Sequence, residues 1–433
     1  MTSDLRDKLR QLGVTKGASK VRPVAAPRHD RSIESLVDGQ EVESALGRAF
    51  LVPERFASDH VHGAAVLSAF LRQKAEVAAQ LGREPELVHI DLSRAAFLDT
   101  ETTGLAGGTG TLAFLVGVGT FEQKGHKANQ KPGFVVRQFF LRDPDEEAAM
   151  LGALSDLMDD HQAVITFNGR GFDLPLLQAR YTLARMRPAW LALPHLDLLA
   201  PSRRVWRDRL PSCSLWSLEG HVLGVRRTQE DVPGFLIPEM YVNYLNTGDA
   251  GEMLRVIYHN KYDVLSMVTL AAQLCRMFGN PHDDETLDPS DLVSLGKWYD
   301  DLDMAAQAER AFRAALERET PSEWRAVALG RLGYMLKRQE RREEAMGVWK
   351  QLAEWDRADV IAHVELAKHY EWHAGDLEQA MVWTRAALEA VAAWPPGFVQ
   401  DQARAELEHR LRRLEHKRRV KHQTKNVKGV LQS

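Results

Sequence analysis

Before Val88 the apolar positions recur at helical spacing, and from Val88 onward they gather into short runs with a period near two. Successive side chains of a strand point to opposite faces, so such runs predict strands with at least one buried face. The candidates are Val88–Ile90 running on to Ala96–Leu98, then Leu112–Phe121, Phe134–Leu141 and Ala163–Phe167. The first three follow one another through glycine-rich turns (Gly104, Gly107, Gly108, Gly110, then Gly125 and Gly133), which predicts an antiparallel set.

After this the period lengthens. Asp145–Asp160 puts Ala148, Leu151, Leu154 and Leu157 on one face and predicts an amphipathic helix, with another over Asp173–Arg185. Crossover helices imply parallel pairing of the strands they join. A strand near His195–Leu199, a helix through Leu215–Val222 and a long helix over Gly251–Met277 complete the set. Three antiparallel strands followed by βαβα resembles the element order of a ribonuclease H-like α/β fold, a mixed sheet flanked by helices. Fold alone does not assign function.

The stretch PHDDETLDPSD (281–291) reads as a linker, and beyond it the pattern is helical throughout. AERAFRAALE (308–317), EEAMGVWKQLAE (343–354) and EQAMVWTRAALE (378–389) align with alanines 37 and 35 residues apart. Gly296 and Ala308 are twelve apart, as are Gly333 and Ala345. These periods lie close to the tetratricopeptide length of about 34. The division expected is a basic, flexible segment (1–44), an α/β domain (45–280), the linker, tetratricopeptide-like repeats (292–400) and a basic tail (401–433). An unrelated helix bundle is the alternative for the repeats.

Composition narrows the class. A chain of 433 residues with 44% hydrophobic and 27% charged residues is long enough for two or three domains and excludes a mostly disordered or collagen-like protein. No apolar run approaches the roughly 18 to 20 residues of a membrane helix, and the start MTSDLRDKLRQLG lacks the apolar stretch of a secretion signal. Two cysteines, Cys213 and Cys275, supply neither a disulfide framework nor a cysteine zinc cluster. The expectation is a cytoplasmic protein with no membrane partner. Residues 1–31 carry eight Lys/Arg against three Asp/Glu and residues 403–433 ten against three, so the net charge of −4 hides an acidic body with basic ends. Such a body suits an acidic metal-holding site, and the ends suit either phosphate contact or plain solvation.

Three short segments carry candidate chemistry. In FLDTETTGL, Asp99 and Glu101 project to the same side at the exit of an apolar strand, where they repel unless a cation lies between them. In ITFNGRGFDLPLL, Asn168 ends a strand and Asp173 opens a helix; Asp173 is equally suited to cap that helix and Asn168 to make a turn. In YHNKYDVLSM, His259 and Asp263 are four apart on one helix face, as an ordinary surface ion pair also is. Taken together, four carboxylates from three separated elements match the oxygen ligands of two divalent cations, with positions left open for a phosphate.

With these motifs the sequence resembles the DEDD exonuclease superfamily, and more narrowly the YprB-type ribonuclease H-like family, over about residues 45–278. The resemblance rests on FLDTETTGLAGGTGTLAFLVGVGTF, TFNGRGFDLPLLQARY, HLDLLAPSRRVW, CSLWSLEGHVLG and HNKYDVLSM. It implies that Asp99, Glu101, Asp173 and Asp263 bind two divalent ions, Mg2+ or Mn2+, and that Thr102, Gly104 and Asn168 line a nucleotide pocket. Superfamily members usually close with His-x4-Asp or Tyr-x3-Asp, whereas here Tyr258 holds the first spacing and His259 the second. At about 100° per helical residue, His259 lies about 40° from Asp263 and Tyr258 about 140° away, which favours His259 as general base.

Arg203, Arg204, Arg207 and Arg209 cluster beside Trp206, and are suited to hold a strand through phosphate forks and stacking or to be a solvated basic helix. The reading is a two-metal-ion nuclease acting on DNA or RNA, a 3′–5′ exonuclease, with a protein partner bound through the helical repeats. A non-catalytic nucleic-acid-binding or scaffold protein on the same fold is the alternative.

Overall fold

Seven strands form one mixed sheet in a computed structural model that describes residues 31–104, 110–122, 133–228, 231–281 and 287–430. The chain begins with α1 (Ile33–Leu36), β1 (Gln40–Ser44), β2 (Gly47–Ala57) and a two-stranded ribbon of β3 (Val61–His62) and β4 (Ala65–Val66). It continues through α2 (Ala75–Gly82), β5 (Ala95–Thr102), β6 (Ala113–Glu122), β7 (Gly133–Phe140), α3 (Glu147–Met158), β8 (Ala163–Thr166), α4 (Asp173–Leu183), β9 (His195–Asp197) and α5 (Leu199–Trp206). Then come α6 (Leu215–Leu218), α7 (Ile237–Thr247) and α8 (Met253–Gly279). The sheet order is β1-β2-β7-β6-β5-β8-β9, antiparallel from β1 through β5 and parallel from β5 through β9. This is the ribonuclease H-like mixed sheet flanked by helices.

Two expectations change. Residues 88–90 are not strand: Pro85 opens a 3-10 turn over Pro85–His89 that buries Leu87, and Asp91 then caps a second turn, so β5 starts at Ala95. Proline fixes φ and lacks the N–H that a ladder needs. Residues 33–44 are ordered as α1 and β1, and β2 extends the sheet by pairing with β7 from Phe50↔Phe140 to Ala57↔Gly133. Pro53 disguises β2 in the sequence, yet it falls beyond Leu51, the last residue that β1 covers, where one side of the strand has no partner. Residues 1–30, which hold most of the N-terminal basic segment, lie outside the described residues.

The sheet is sandwiched because β5 and β6 are apolar on both faces. Ala96 and Leu98 join Phe114, Val116, α3, α4 and α7 in one core, whereas Phe97 makes edge-on contacts with Phe70, Phe121 and Phe134 on the other face. On that second face α8 approaches the sheet over Gly117 and Gly119. A Cβ at Gly117 would lie 2.2 Å from Oδ1 of Asn260, and one at Gly119 would lie 2.5 Å from Val264. Glycine is required there by close approach, and it seats α8 beside the exit of β5.

The chain divides into two units: residues up to Ala200 with Ser214–Cys275, and Pro201–Cys213 with Arg276 onward. The second unit is helical: α9 (Pro289–Asp301), α10 (Ala305–Leu316), α11 (Ser322–Arg338), α12 (Arg342–Trp355), α13 (Val360–Trp372), α14 (Leu377–Ala392) and α15 (Phe398–Val430). One packing device recurs: Gly296 of α9 receives the ring of Phe312 from α10, and Gly333 of α11 receives that of Trp349 from α12. In both pairs the glycine precedes the aromatic by sixteen residues, which matches the repeat visible in the sequence. The end of the expected linker is structured, with Asp288 capping α9 and Asp291 buried inside it. The basic stretch from residue 401 is helix as far as Val430; Leu407 and Leu414 pack on α14, and Arg410, Arg413 and Lys417 surround the buried Glu371 at 2.7 to 2.9 Å. Among the described residues no helix is long and apolar enough to cross a membrane.

Residues 201–213 bear on where the chain can be cut. Trp206, fully buried, donates from Nε1 to Asp291 at 3.2 Å, and Arg209 grips the same carboxylate at 2.7 and 3.0 Å. Truncation after Pro281 is therefore expected to lower the melting temperature and raise dye binding by exposed apolar surface. Asp291→Ala in the full chain should cost roughly 2–4 kcal/mol, because it leaves the buried Trp206 N–H unpaired and the Arg209 guanidinium with only its 3.9 Å contact to Asp288. A truncated protein melting like the full chain would show that residues 201–213 do not need α9.

Candidate metal centre

The strand β5 leaves the sheet between α4 and α8, and its alternation sorts the side chains at that end. Asp99 and Glu101 share one face, while Thr100 on the other donates its hydroxyl to Oδ1 of Asp173 at 2.5 Å. Asp173 is the first residue of α4; the capping position is Phe172, which makes no side-chain cap. The carboxylate of Asp173 thus ties the start of α4 to β5. From α8, Asn260 donates to Oδ2 of Asp99 at 2.8 Å and is itself held by Gln138 through its Oδ1 at 2.8 Å. Asn260 is completely buried, and the gap at Gly117 is what admits it.

One turn apart on α8, His259 and Asp263 face the same way, with Nε2 3.6 Å from Oδ2. One ligand atom each from Glu101, His259 and Asp263 lie within 4.8 Å of one another. Asp99 and Asp173 are outside that triad but within its field. Burial, then the charge of Asp263, then that of Asp173, push the Asp99 carboxyl well above the usual range, against the Asn260 hydrogen bond. Burial, followed by Asp99, Asp263 and Asp173, does the same to Glu101. Burial raises Asp173 to about 6, opposed by the Thr100 hydroxyl. Carboxylates buried among like charges resist ionisation unless a cation joins them, and an all-oxygen set with one imidazole suits a hard divalent ion. The residues present fit such an ion.

A second group of charges closes the site. After α6 the chain makes a π-helical turn, Glu219–Leu223, and Arg227 follows in the next loop. Arg227 donates to both oxygens of Glu219, at 2.7 and 2.6 Å, and to Oδ1 of Asp263. Asp231 stands 3.3 Å from Arg227 and accepts from Nδ1 of His259 at 2.7 Å. Burial disfavours the imidazolium, but Asp263 and Asp231 outweigh it and leave the His259 pKa raised. None of Glu219, Arg227 and Asp231 was singled out by sequence. Glu219 alone left a signal, a charge inside the otherwise apolar SLWSLEGHVLGV.

The remaining expected site residues are distributed as follows. Asn168 has φ +68, and its loop is tied down by Asp197, which accepts from the backbone N–H of Asn168, Arg170 and Leu199 at 2.8 to 3.0 Å. Thr102 is buried and donates its hydroxyl to the carbonyl of Gly104 at 2.9 Å. Tyr258 points elsewhere: its hydroxyl accepts from the N–H of Thr228 at 3.1 Å and its ring lies 4.2 Å from that of Tyr262. Arg203 and Arg204 belong to the other unit, where Arg204 lies over the ring of Trp298 at 5.4 Å and 3.4 Å from Asp301.

With this geometry in hand, residues 96–275 match the RNase_H superfamily. The chain is also similar to the protein titled "Uncharacterized protein YprB" from Bacillus subtilis (strain 168), at 30% identity over 301 residues, covering 68% of this chain and 69% of that one.

Crowding of like charges makes a testable statement about stability. Asp99→Asn keeps an oxygen for Asn260 and removes one repelling charge, so in chelator it should melt at or above the wild-type temperature. In Mn2+ at about a hundredfold over its dissociation constant, wild type should gain about 2.7 kcal/mol and the variant most of that less. A variant that unfolds in chelator, or keeps the full metal-induced shift, contradicts the ligand role of Asp99.

Proposed function

The chain belongs to the YprB-type family of the ribonuclease H superfamily, and from that footing we propose that it is a divalent-metal-dependent nuclease that hydrolyses DNA or RNA phosphodiesters, working from a 3′ end. The observation that carries this reading is the gathering of Glu101, His259 and Asp263 within 4.8 Å of one another beside the half-buried Asp99 and the buried Asp173. Asp99, Glu101, Asp173 and Asp263 are the ligands in this reading, for two Mg2+ or Mn2+ ions. Bound there, such ions supply a water of lowered pKa and offset the charge that builds on the phosphate.

The chain's own residues do the rest. Asp231 holds the proton of His259 on Nδ1 and so leaves the lone pair on Nε2, the nitrogen that faces Asp263. Nε2 then takes the proton from the attacking water, and Asp231 steadies the imidazolium that results. Asp197 fixes the Asn168 loop, which with Thr102 and Gly104 forms the nucleotide-binding wall. Of the two arginines assigned to substrate, Arg203 is exposed and retained for phosphate contact, whereas Arg204 is engaged with Trp298 and Asp301. A protein partner is assigned to the helical unit, whose Trp355 and Trp372 are half exposed.

The test uses end-labelled single- and double-stranded DNA and RNA with Mg2+, Mn2+ or EDTA. Asp99→Asn and Asp263→Asn should each lower the metal-dependent rate by about 10^2- to 10^3-fold. His259→Ala should lose a similar factor, while Tyr258→Phe stays near wild type. Full activity in either aspartate variant removes the metal assignment; a crippled Tyr258→Phe beside a normal His259→Ala reverses the base. Tight binding of nucleic acid with no fragment released in Mn2+ would make the protein a binder on a nuclease fold.

A further inference from the structure

Among the described residues Arg227 is the cation that reaches into the carboxylate cluster, and its partners surround it on several sides. Its side chain is 5% exposed, and its Nε and Nη2 clamp Glu219, which is 2% exposed. Behind Glu219 stand Ser266, whose hydroxyl donates to it at 2.5 Å, and His62, whose Nε2 lies 2.8 Å from the same hydroxyl oxygen. The guanidinium is therefore anchored from the side away from the site. Toward the site, Nη2 donates to Oδ1 of Asp263, and Nη1 lies 3.3 Å from Asp231 and 3.1 Å from Nδ1 of His259. One rigid fork of donors thus touches a metal-ligand carboxylate and the imidazole beside it.

This arrangement divides the Asp263 carboxylate. Oδ1 is occupied by the guanidinium, and Oδ2 faces His259. A divalent ion that needs Oδ1 must compete with a fixed positive charge, and one that uses Glu101 and Oδ2 need not. Release of Asp263 would not strand the guanidinium, because Glu219 and Asp231 remain its partners. An ion pair with such a backup can exchange, whereas one without it is locked by the cost of leaving a buried charge alone.

Resting on the metal-centre reading above, we propose that Arg227 is a positioning residue that holds Asp263 until a second divalent ion takes the carboxylate from it. The two ions then load unequally, one readily and the other only in competition with the guanidinium. Arg227 sets the metal concentration at which the centre is complete.

The experiment is calorimetric titration of Mn2+ into the full-length protein without nucleic acid, backed by electron paramagnetic resonance of the free ion. The variants are Arg227→Met combined with Glu219→Gln, which removes both partners of the buried pair, and Arg227→Lys, which keeps the charge without the fork. Wild type should show two unequal dissociation constants. In the double variant the weaker one should tighten about tenfold, the scale of one charge-assisted hydrogen bond, and the stronger one stay put. Arg227→Lys should tighten it less. A lower melting temperature with both Mn2+ constants unchanged, in the double variant or in Arg227→Lys, means that the pair is only structural and overturns the proposal. Wild type that binds no Mn2+ would instead fail the metal-centre reading itself, and this inference with it.

Discussion

Crowding of negative charge at the exit of β5 is the constraint to which the neighbouring structure answers. Burial raises the cost of ionising Asp99, Glu101 and Asp173, and at Asp99 and Glu101 the charges of Asp263 and Asp173 add to it. Three of the four carboxylates are met by something specific: Asn260 on Asp99, the Thr100 hydroxyl on Asp173, Arg227 on Asp263. Such an assembly is poor as a source of stability, since buried charges seldom recover their desolvation from pairing alone. It is well made as a receptor for cations, whose binding converts the repulsion into attraction.

The helix α8 joins fold to site. It is the element that brings His259, Asn260 and Asp263 to β5, and it can approach only because β6 carries glycine at 117 and 119. A side chain at Gly117 would strike Asn260 and displace the hydrogen bond to Asp99. Packing of a helix on a sheet and alignment of a carboxylate are therefore one event. The same helix carries Ser266, three residues beyond Asp263, so the anchoring of Glu219 and Arg227 is tied to its placement as well.

The helical unit uses a simpler logic. Glycine in one helix receives an aromatic ring from the next, and the device repeats from Gly296 and Phe312 to Gly333 and Trp349. Its end is closed by α15, where Leu407 and Leu414 cover α14 and three cations satisfy Glu371. Three of the ten Lys/Arg that the sequence displays after residue 401 are thereby engaged by one buried carboxylate. Segment 201–213 is absorbed in the same way, its Trp206 and Arg209 closing on Asp291.

Much of this was legible in the chain itself. Period-two apolar runs announced β5, β6, β7 and β8, glycine-rich turns announced the antiparallel order of the first three, and spacing put Asp99 with Glu101 and His259 with Asp263 on common faces. These are local facts, because strand alternation and helical rotation act over a few residues and leave their mark as periodicity. The strand β2 is hidden by Pro53, which is tolerated because it lies past the last residue that β1 covers, and residues 88–90 read as strand although Pro85 opens a turn just before them. Which charge meets which was decided by tertiary structure. Glu219, Arg227 and Asp231 come from a π-helical turn and a loop with no period, and Arg204 looked free for phosphate until Trp298 and Asp301 claimed it. Pairing across distance depends on where whole elements pack, and burial, which sets the strength of each charge, exists only once they have packed.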